Sequence, residues 1–295
     1  MSKKHPIIAV TGSSGAGTTT VKSAFEHIFH RQNINPVVVE GDSFHRYDRV
    51  TMKKKVQQAQ KEKRNFSHFG FEANILKDLE NMFKTYGENG VCKRRFYLHS
   101  EQEAAPYGQN PGEFTPWEDA GEGSDLMLYE GLHGAVVNEK HGINIAKYAD
   151  LKIGVVPIVN LEWIQKIHRD TAQRGYKPEE VTDTILRRMR DYVNVITPQF
   201  SQTDINFQRI PLVDTSNPFI SRDIPTSDES KVVVRFKDPV ALKIDFHYLQ
   251  SMLKDSYMSR RNTIVVPGGK MQLAMEVILH SIIERMLQKS KKLRK

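Results

Sequence analysis

The sequence has little cysteine and no long apolar run, and each shortage excludes a class of protein. A single cysteine, Cys92, among 295 residues cannot form an intrachain disulfide, and this favours a reducing compartment. The most apolar stretch, residues 151–164, is interrupted by Lys152, Pro157 and Glu162, so it cannot span a bilayer. The first residues carry charge without an adjoining apolar segment of the signal-peptide type. We therefore expect a cytoplasmic protein without membrane contact.

A strong excess of one charge is also missing from most of the chain. The net charge is +8, from 43 Lys and Arg against 35 Asp and Glu, and a bulk value of this size hints at nucleic acid. Residues 53–64 and 289–295 contribute +5 each, which leaves −2 for the remainder. Such segments are usually solvated, so nucleic acid is not an expected partner. A non-catalytic RNA-binding protein is kept as a minor alternative, and the hydrophobic content of 39% excludes disorder of the whole chain.

Short apolar runs alternate with amphipathic segments along the chain. The runs that predict strands are 7–11, 36–40, 125–129, 151–156, 209–213, 231–236 and 263–266. The segments that predict helices are 21–31, 72–86, 160–173, 178–193 and a closing helix at 271–288, whereas 104–123 is predicted as a long loop. Strands alternating with helices indicate an α/β fold of three layers, with a mixed, mainly parallel central sheet flanked by helices.

A glycine-rich loop follows the first predicted strand. Its residues are Gly12, Ser13, Ser14, Gly15, Ala16, Gly17, Thr18, Thr19 and Thr20. Gly12 and Gly17 have the spacing of G-x-x-x-x-G-K-[ST], in which backbone N–H groups and a helix N-terminus hold phosphates. Thr19 is in the position of the hydroxyl that coordinates Mg²⁺. Because Thr18 replaces the lysine, a turn without a ligand is an open alternative, and bound phosphates would need a cation from elsewhere in the chain.

Acidic residues follow the second and third predicted strands, at the sheet edge where ligands bind in such folds. Asp42 is placed to accept a proton from a substrate hydroxyl, and one helical turn would aim His45 and Arg49 at the same ligand. Glu130 ends an apolar strand, as the Walker B acid near Mg²⁺ does. The alternatives are a capping aspartate in a solvated loop and an incidental acid at the end of a strand.

Cations recur on one polar face of the helix predicted at 160–173. Lys166, Arg169 and Asp170 have helical spacing, and Arg187 and Arg188 follow on the next helix. These side chains can supply the charge that the glycine-rich loop lacks, because arginine forks suit phosphates. The alternative is an exposed helix with a Lys166–Asp170 ion pair on its surface.

Seven segments in order resemble the bacterial (class I) phosphoribulokinases, which are P-loop kinases related to uridine kinase and pantothenate kinase. They are GSSGAGTTT, EGDSFHRYDR, YEGLHG, NLEWIQKIHRDTAQRGY, FSQTDINFQR, VDTSNPF and SRRNTIVVPGG, and they extend to about residue 270. The resemblance implies a P-loop kinase fold and transfer of the ATP γ-phosphoryl group to O1 of D-ribulose 5-phosphate, in the Calvin cycle of carbon fixation. A kinase acting on uridine or pantothenate is the alternative, which the phosphate-binding side chains His45, Arg49 and Arg174 disfavour.

The resemblance also implies a role for each matching residue, and Mg²⁺ as the ion that accompanies ATP. It assigns catalysis to Asp42, Asp170, Lys166 and Arg169, sugar-phosphate binding to His45, Arg49, Arg174 and Arg187, the metal to Thr19 and Glu130, and ATP to residues 12–20. Within this set, Asp42 is the general base. Lys166 replaces the missing loop lysine, and bacterial members share the threonine found at Thr18.

Regulation and assembly follow from the resemblance in the same way. Bacterial members are typically octamers that NADH activates and AMP inhibits, which makes Arg31, Arg235 and Arg260 candidate effector contacts. Plant members carry a redox-regulated cysteine in the phosphate loop, where this chain has Ala16. No linker divides the sequence, so we expect one domain over 1–295, with a nucleotide- and substrate-binding core in 1–215 and added strands and the closing helix in 216–295.

Overall fold

A computed structural model describes residues 4–12, 18–156, 158–221 and 223–294, without the side chains of residues 18, 19, 173 and 174. The strands are β1 (Ile7–Gly12), β2 (Pro36–Glu40), β3 (Cys92–Arg94), β4 (Glu118–Ala120), β5 (Leu126–Gly131), β6 (Val137–Asn138), β7 (Ile143–Asn144), β8 (Leu151–Val156), β9 (Ile205–Pro211), β10 (Ser230–Phe236), β11 (Tyr257–Arg260) and β12 (Thr263–Pro267). The helices are α1 (Thr18–Gln32), α2 (Arg49–Lys61), α3 (Leu76–Asn89), α4 (Glu101–Ala104), α5 (Val159–Arg174), α6 (Pro178–Asp191), α7 (Phe246–Met252) and α8 (Met271–Arg294).

An eight-stranded sheet forms the middle of the described structure, in the order β11-β12-β10-β9-β8-β1-β5-β2. The pairs from β2 to β9 are all parallel, and the pairs from β9 to β11 are antiparallel. Two small sheets, β3-β4 and β6-β7, lie outside it. The mixed, mainly parallel sheet confirms the predicted fold class.

Side-chain alternation along the central strands separates two apolar cores. In β1, Ile8 and Val10 pack with residues of α1 and α8, whereas Ile7 and Ala9 pack with residues of α3. Successive side chains of a strand point to opposite faces, so one strand contributes to both cores. The layer order is therefore helices, sheet, helices. This arrangement leaves the ends of the parallel strands as the place where polar groups gather.

Most predicted elements are present, and the differences have local causes. The helix predicted at 72–86 begins only at Leu76, because a 3₁₀ turn occupies Phe71–Ala73, and it ends before Gly90, which has φ of +76°. The long loop predicted at 104–123 is partly wrong, since β4 lies within it and pairs with β3. The basic segment at 53–64 lies largely in α2, a helix that we did not predict.

The closing helix is longer than predicted, and its basic end is not a free tail. Ser290 is fully buried and its hydroxyl donates to the Lys4 carbonyl at 2.5 Å. Arg294 donates to the carbonyls of Lys4 at 2.8 Å and Asp125 at 2.7 Å. These bonds fasten the C-terminal turn of α8 across the start of β1 and β5. In the described part of the chain, no helix combines the length and the apolar character that crossing a bilayer requires.

Two glycines bring the ends of β2 and β5 into direct backbone contact. A Cβ atom on Gly131 would lie 2.6 Å from the Gly41 Cα atom, and one on Gly41 would lie 2.6 Å from the Tyr129 hydroxyl. Such distances are far inside van der Waals contact, and the groups nearest the added atoms are backbone and a fully buried tyrosine. Only glycine fits at both positions. The contact sets the distance between the segments that follow the two strands.

Gly131→Ala tests this contact. We expect the variant to lose about 2–3 kcal/mol of unfolding free energy, because neither the Gly41 backbone nor Tyr129 can move away without disturbing the sheet. Urea denaturation followed by circular dichroism measures the loss. Gly269→Ala is the matched control, because its Cβ would meet only the end of the Asp228 side chain, at 3.2 Å. Equal midpoints for Gly131→Ala and the wild type would contradict this interpretation.

Candidate active site

The carboxyl ends of β2, β5, β1 and β8 meet at one edge of the sheet. In the strand register, Glu40 lies opposite Glu130 and Gly12 lies opposite Val155. β1 ends at Gly12 and α1 begins at Thr18, as a phosphate loop between strand and helix requires. The predicted ATP contacts at residues 13–17 lie outside the described residues, as do the side chains of Thr18 and Thr19. Thr20 is described, in the first turn of α1.

Asp42 lies between two imidazoles directly after β2. It belongs to the 3₁₀ turn Gly41–Phe44, and its carboxylate oxygens are 3.7 Å from His45 Nε2 and 3.6 Å from His99 Nε2. Its side chain is 39% exposed, which is enough for a substrate hydroxyl to reach it. The arrangement gives Asp42 two neighbours that can donate hydrogen bonds and still leaves part of its side chain exposed.

An arginine from a different part of the chain holds this turn. Arg95 donates from Nε to the Ser43 carbonyl and from Nη2 to the His45 carbonyl, both at 2.8 Å. Its guanidinium lies 3.8 Å from the ring centroid of Phe114 and 4.7 Å from that of Trp117. Both bonds end on backbone carbonyls around Asp42. Arg95 therefore stabilises the turn without neutralising the carboxylate.

The predicted helical turn shared by His45 and Arg49 is wrong. His45 has extended backbone after the 3₁₀ turn, and Asp48, whose side chain accepts from the Thr51 N–H, caps a new helix that starts at Arg49. The two side chains still converge, on a third residue. The His45 ring meets the edge of Tyr97 at 6.0 Å, and a hydrogen bond from Arg49 lowers the pKa of Tyr97 against the larger effect of burial, which raises it.

Burial and crowding of negative charge alter the acids at the strand ends. Burial, followed by the charge of Glu40, raises the pKa of Glu130 to about 7, although Lys22 opposes the shift. Burial raises the pKa of Glu40 as well, with His99 opposing and Asp42 adding to it. A divalent ion would favour the ionised forms of these buried carboxyl groups, and Mg²⁺ prefers oxygen ligands. The described residues include no group of three His, Cys, Asp or Glu side chains that surrounds a metal position, so phosphate and water would complete such a site.

The cations of α5 form a buried ionic cluster rather than an exposed ion pair. Lys166 donates to one oxygen of Asp170, and Arg169 donates to the other at 2.9–3.0 Å. Asp170 is only 4% exposed. Burial would raise the pKa of Asp170, but the bonds and charges of Lys166 and Arg169 outweigh it and lower the pKa. Burial, followed by the charge of Arg188, lowers the pKa of Lys166 to about 8.

The arginines of α6 add positive charge to this cluster. Arg188 is half-buried, and this burial lowers the pKa of its guanidinium to about 10, while Asp170 and Asp42 both oppose that shift. It therefore lies within electrostatic reach of both carboxylates. Arg187 donates to the Phe66 carbonyl at 3.0 Å, and its buried Nε has no protein partner. The side chain of Arg174 lies outside the described residues, although its backbone ends α5.

The predicted effector residues lie in two places away from Asp42. Arg235 of β10 and Arg260 of β11 are both exposed and flank Thr263 in one row of the sheet. Arg31 lies in the last turn of α1, with its guanidinium 3.9 Å from the Glu276 carboxylate of α8. The structure thus brings two of the three arginines together across β12 and places the third on the contact between α1 and α8.

Sequence reasoning missed residues that reach the site through loops. Arg95, Tyr97 and His99 belong to a stretch between β3 and α4 that carries no motif, and His68 lies in a loop before α3. From the sequence, Arg188 is one cation among several, with no individual role. A cluster of Arg, Tyr and His within five residues was the one available signal, because such side chains seldom gather in an ordinary loop without a ligand.

Comparison with known proteins agrees with this geometry. A model of the Phosphoribulokinase / Uridine kinase family matches residues 7–216. "Phosphoribulokinase, plasmid" of Cupriavidus necator is 60% identical over 293 residues, which are 99% of each chain. "Phosphoribulokinase 1" of Cereibacter sphaeroides is 60% identical over 292 residues, again 99% of each. The solved phosphoribulokinase from Rhodobacter spheroides has a TM-score of 0.89 and 57% identity, covering 98% of this chain and 100% of that one. The chain therefore belongs to the phosphoribulokinase/uridine kinase family.

Proposed function

We propose that this chain is an ATP-dependent sugar-phosphate kinase, a phosphoribulokinase that converts D-ribulose 5-phosphate and ATP to D-ribulose 1,5-bisphosphate and ADP. The observation that carries the proposal is Asp42, a partly exposed carboxylate between two imidazoles, within electrostatic reach of the half-buried Arg188. An acceptor that already carries a phosphate suits this concentration of cations better than uridine or pantothenate does. Relatives at 60% identity over almost the whole chain support the same activity.

Phosphoryl transfer needs positioning and charge stabilisation more than covalent chemistry. Asp42 accepts the proton of the O1 hydroxyl as that oxygen attacks the γ-phosphorus of ATP. The bond between the γ-phosphorus and the oxygen that bridges to the β-phosphate breaks, and ADP leaves with its electron pair. Lys166 and Arg169 stabilise the negative charge that spreads over the transferred group, and Asp170 holds these two cations in place.

The remaining predicted residues hold the two substrates. His45 and Arg49, which meet at Tyr97, bind the 5-phosphate of the sugar, together with Arg174 and Arg187. Residues 12–20 bind the phosphates of ATP. Glu130 and Thr19 would hold Mg²⁺, which supplies positive charge to the phosphate oxygens when it is bound. The position of Glu130 opposite Glu40 at the carboxyl ends of β5 and β2 supports this assignment, since carboxylate oxygens are ligands that Mg²⁺ prefers.

Regulation, assembly and location complete the proposal. NADH as activator and AMP as inhibitor would act through Arg31, Arg235 and Arg260, and the exposure of Arg235 and Arg260 on one row of the sheet supports a shared anionic effector there. We also propose a homo-oligomer, an octamer by resemblance, that acts in the cytoplasm within the Calvin cycle. The strands of residues 216–295 continue the central sheet, which supports a single kinase domain over 1–295.

A panel of acceptors tests the proposed function. With ATP and Mg²⁺, the purified protein should phosphorylate ribulose 5-phosphate and release one ADP per ribulose 1,5-bisphosphate formed. Ribulose, uridine and pantothenate should react at least about a hundredfold more slowly, because none of them carries the phosphate group that the cations of the site bind. A coupled ADP assay and product analysis by mass spectrometry measure both. Faster turnover of uridine or pantothenate than of the sugar phosphate would reverse the assignment.

Asp42→Asn tests the general base. The substitution keeps the shape of the side chain but removes the charge that accepts the proton, so kcat should fall about a thousandfold. The KM for ATP should stay within about threefold, because the substitution removes an interaction of the transition state. Asp119→Asn, at a side chain that is 89% exposed, is the matched control and should leave kcat unchanged. A kcat for Asp42→Asn within tenfold of the wild type would exclude this role for Asp42.

The charge of Lys166 predicts a pH dependence. Its lowered pKa of about 8 means that the ammonium group of the free enzyme loses its proton as the pH rises past 8. The value of kcat/KM for ATP, which reports the free enzyme, should therefore fall by about tenfold per pH unit above that point. Lys166→Arg should abolish the fall, since a guanidinium stays charged. Lys140→Arg on an exposed turn is the control and should keep it. An unchanged profile in Lys166→Arg would contradict the prediction.

A further inference from the structure

Residues 65–70 form a loop that belongs to no predicted motif, yet the last turn of α6 is hydrogen-bonded to it. Asp191 accepts from Asn65 Nδ2 and from the Ser67 hydroxyl, both at 2.7 Å. Arg187 donates to the Phe66 carbonyl at 3.0 Å. Three bonds from one helical turn to three residues fix the loop relative to α6. We call residues 65–70 the bridging loop.

The other side of the bridging loop is fastened to the elements around Asp42. Asn74 donates from its amide to the carbonyls of His68 at 2.8 Å and Gly70 at 2.7 Å. The fully enclosed His133 contacts the Phe69 carbonyl through Nε2 at 2.9 Å. Because a carbonyl only accepts, that nitrogen carries the proton. The loop backbone is thus held from both sides, and the side chain of His68 has little freedom to move.

The partner of His68 determines its protonation state. Its Nδ1 lies 3.2 Å from Arg188 Nη2. A guanidinium has only donors, so Nδ1 must offer a lone pair, and the ring is neutral with its proton on Nε2. Burial, followed by the charges of Arg188 and His45, holds the pKa of His68 well below its usual value, in agreement with the geometry. A cationic or apolar side chain at this position would leave the arginine without an acceptor.

His68 also forms one wall of the space that His45 occupies. The two rings meet edge to face with their centroids 5.3 Å apart, and the Tyr97 ring also contacts His45, at 6.0 Å. His45 is only 9% exposed, and its Nε2 is the atom that faces Asp42. A continuous line of contacts therefore runs from Arg188 through His68 and His45 to Asp42. Within the described part of the chain, the Arg188 side chain makes one hydrogen bond, to His68. The buried Nε of Arg188 has no protein partner there.

We propose that His68 is a positioning residue of the kinase reaction, which as a neutral hydrogen-bond acceptor orients Arg188 and, with the edge of its ring, holds His45 beside Asp42. The inference rests on the proposed function, in which His45 binds the sugar phosphate and Asp42 accepts the proton. It extends that function to a loop outside every motif of the sequence. It also gives a reason for the three hydrogen bonds between α6 and the bridging loop, since a shift of the loop would displace both Arg188 and His45.

Two substitutions of similar size separate an acceptor from simple packing. His68→Asn keeps an oxygen near the position of Nδ1, whereas His68→Leu fills the space without any acceptor. We expect His68→Leu to lower kcat/KM for ribulose 5-phosphate by about tenfold or more, the usual effect of losing a hydrogen bond to a charged group. His68→Asn should recover to within about threefold of the wild type, and the KM for ATP should be unchanged in both. His141→Leu, at an exposed histidine stacked on Phe71, is the matched control.

Crystal structures of the two variants provide a readout that does not depend on turnover. Arg188 and His45 should keep their side-chain conformations in His68→Asn and change them in His68→Leu. Should His68→Leu fail to fold, His68→Phe replaces it with the same expectation. Each of three results would overturn the proposal. They are wild-type kinetics in the apolar variant, equal losses in the apolar and Asn variants, and unchanged positions of Arg188 and His45 in the apolar variant. Lack of ribulose 5-phosphate turnover in the wild-type protein would instead refute the proposed function, and the crystal structures would still test the contacts of His68.

Discussion

The close contact of Gly41 with Gly131 is the constraint on which the site depends. It draws the ends of β2 and β5 together, so that Glu40 and Glu130 lie opposite each other in the last residues of the two strands and Asp42 follows β2 directly. Burial, and after it the charge of neighbouring acids, raises the pKa values of Glu40 and Glu130. A protein tolerates such crowding of acids where a cation binds, because a nearby positive charge favours the ionised form of each carboxyl group. The contact of the two glycines therefore prepares a position for positive charge that the strand ends themselves do not supply.

The opposite problem exists on the helices that face this edge. Lys166, Arg169 and Arg188 are gathered with a single buried acid, Asp170, so that positive charge exceeds negative charge there. Burial lowers the pKa of both Lys166 and Arg188, which shows that their charged forms are held at a cost in free energy. An anion bound between the helices and the strand ends would relieve this cost, while a metal ion relieves the other. The proposed Mg²⁺ and the polyphosphate of ATP would together satisfy both requirements, so the acids and the cations of the site complement each other.

How far the sequence could predict this depends on how local each signal is. The alternation in β1 and the apolar face of α1 are local patterns, and Ile8, Val10, Val21 and Phe25 are buried as expected. Lys166 and Asp170 share a helix, so their pairing follows from spacing alone. His45 and Arg49 show the limit of such reasoning. The same spacing predicted a shared helical turn, but Asp48 caps a new helix between them, and the two side chains meet only through Tyr97.

Contacts between segments far apart in the chain could not be predicted in this way. Arg95 reaches the carbonyls beside Asp42 from 50 residues away, and Arg187 reaches the bridging loop from a distance of 121 residues. No periodicity encodes these bonds, because each depends on where the sheet and α6 place two independent loops. The acceptors are backbone carbonyls, so many sequences of the loop would satisfy them. His68 differs, since its bond to Arg188 needs one particular nitrogen with a free lone pair. The side chains of Asn65 and Ser67 fasten the loop to Asp191, whereas that of His68 contacts Arg188 and also His45, which lies beside Asp42. This difference argues for a role of His68 in the reaction rather than in folding.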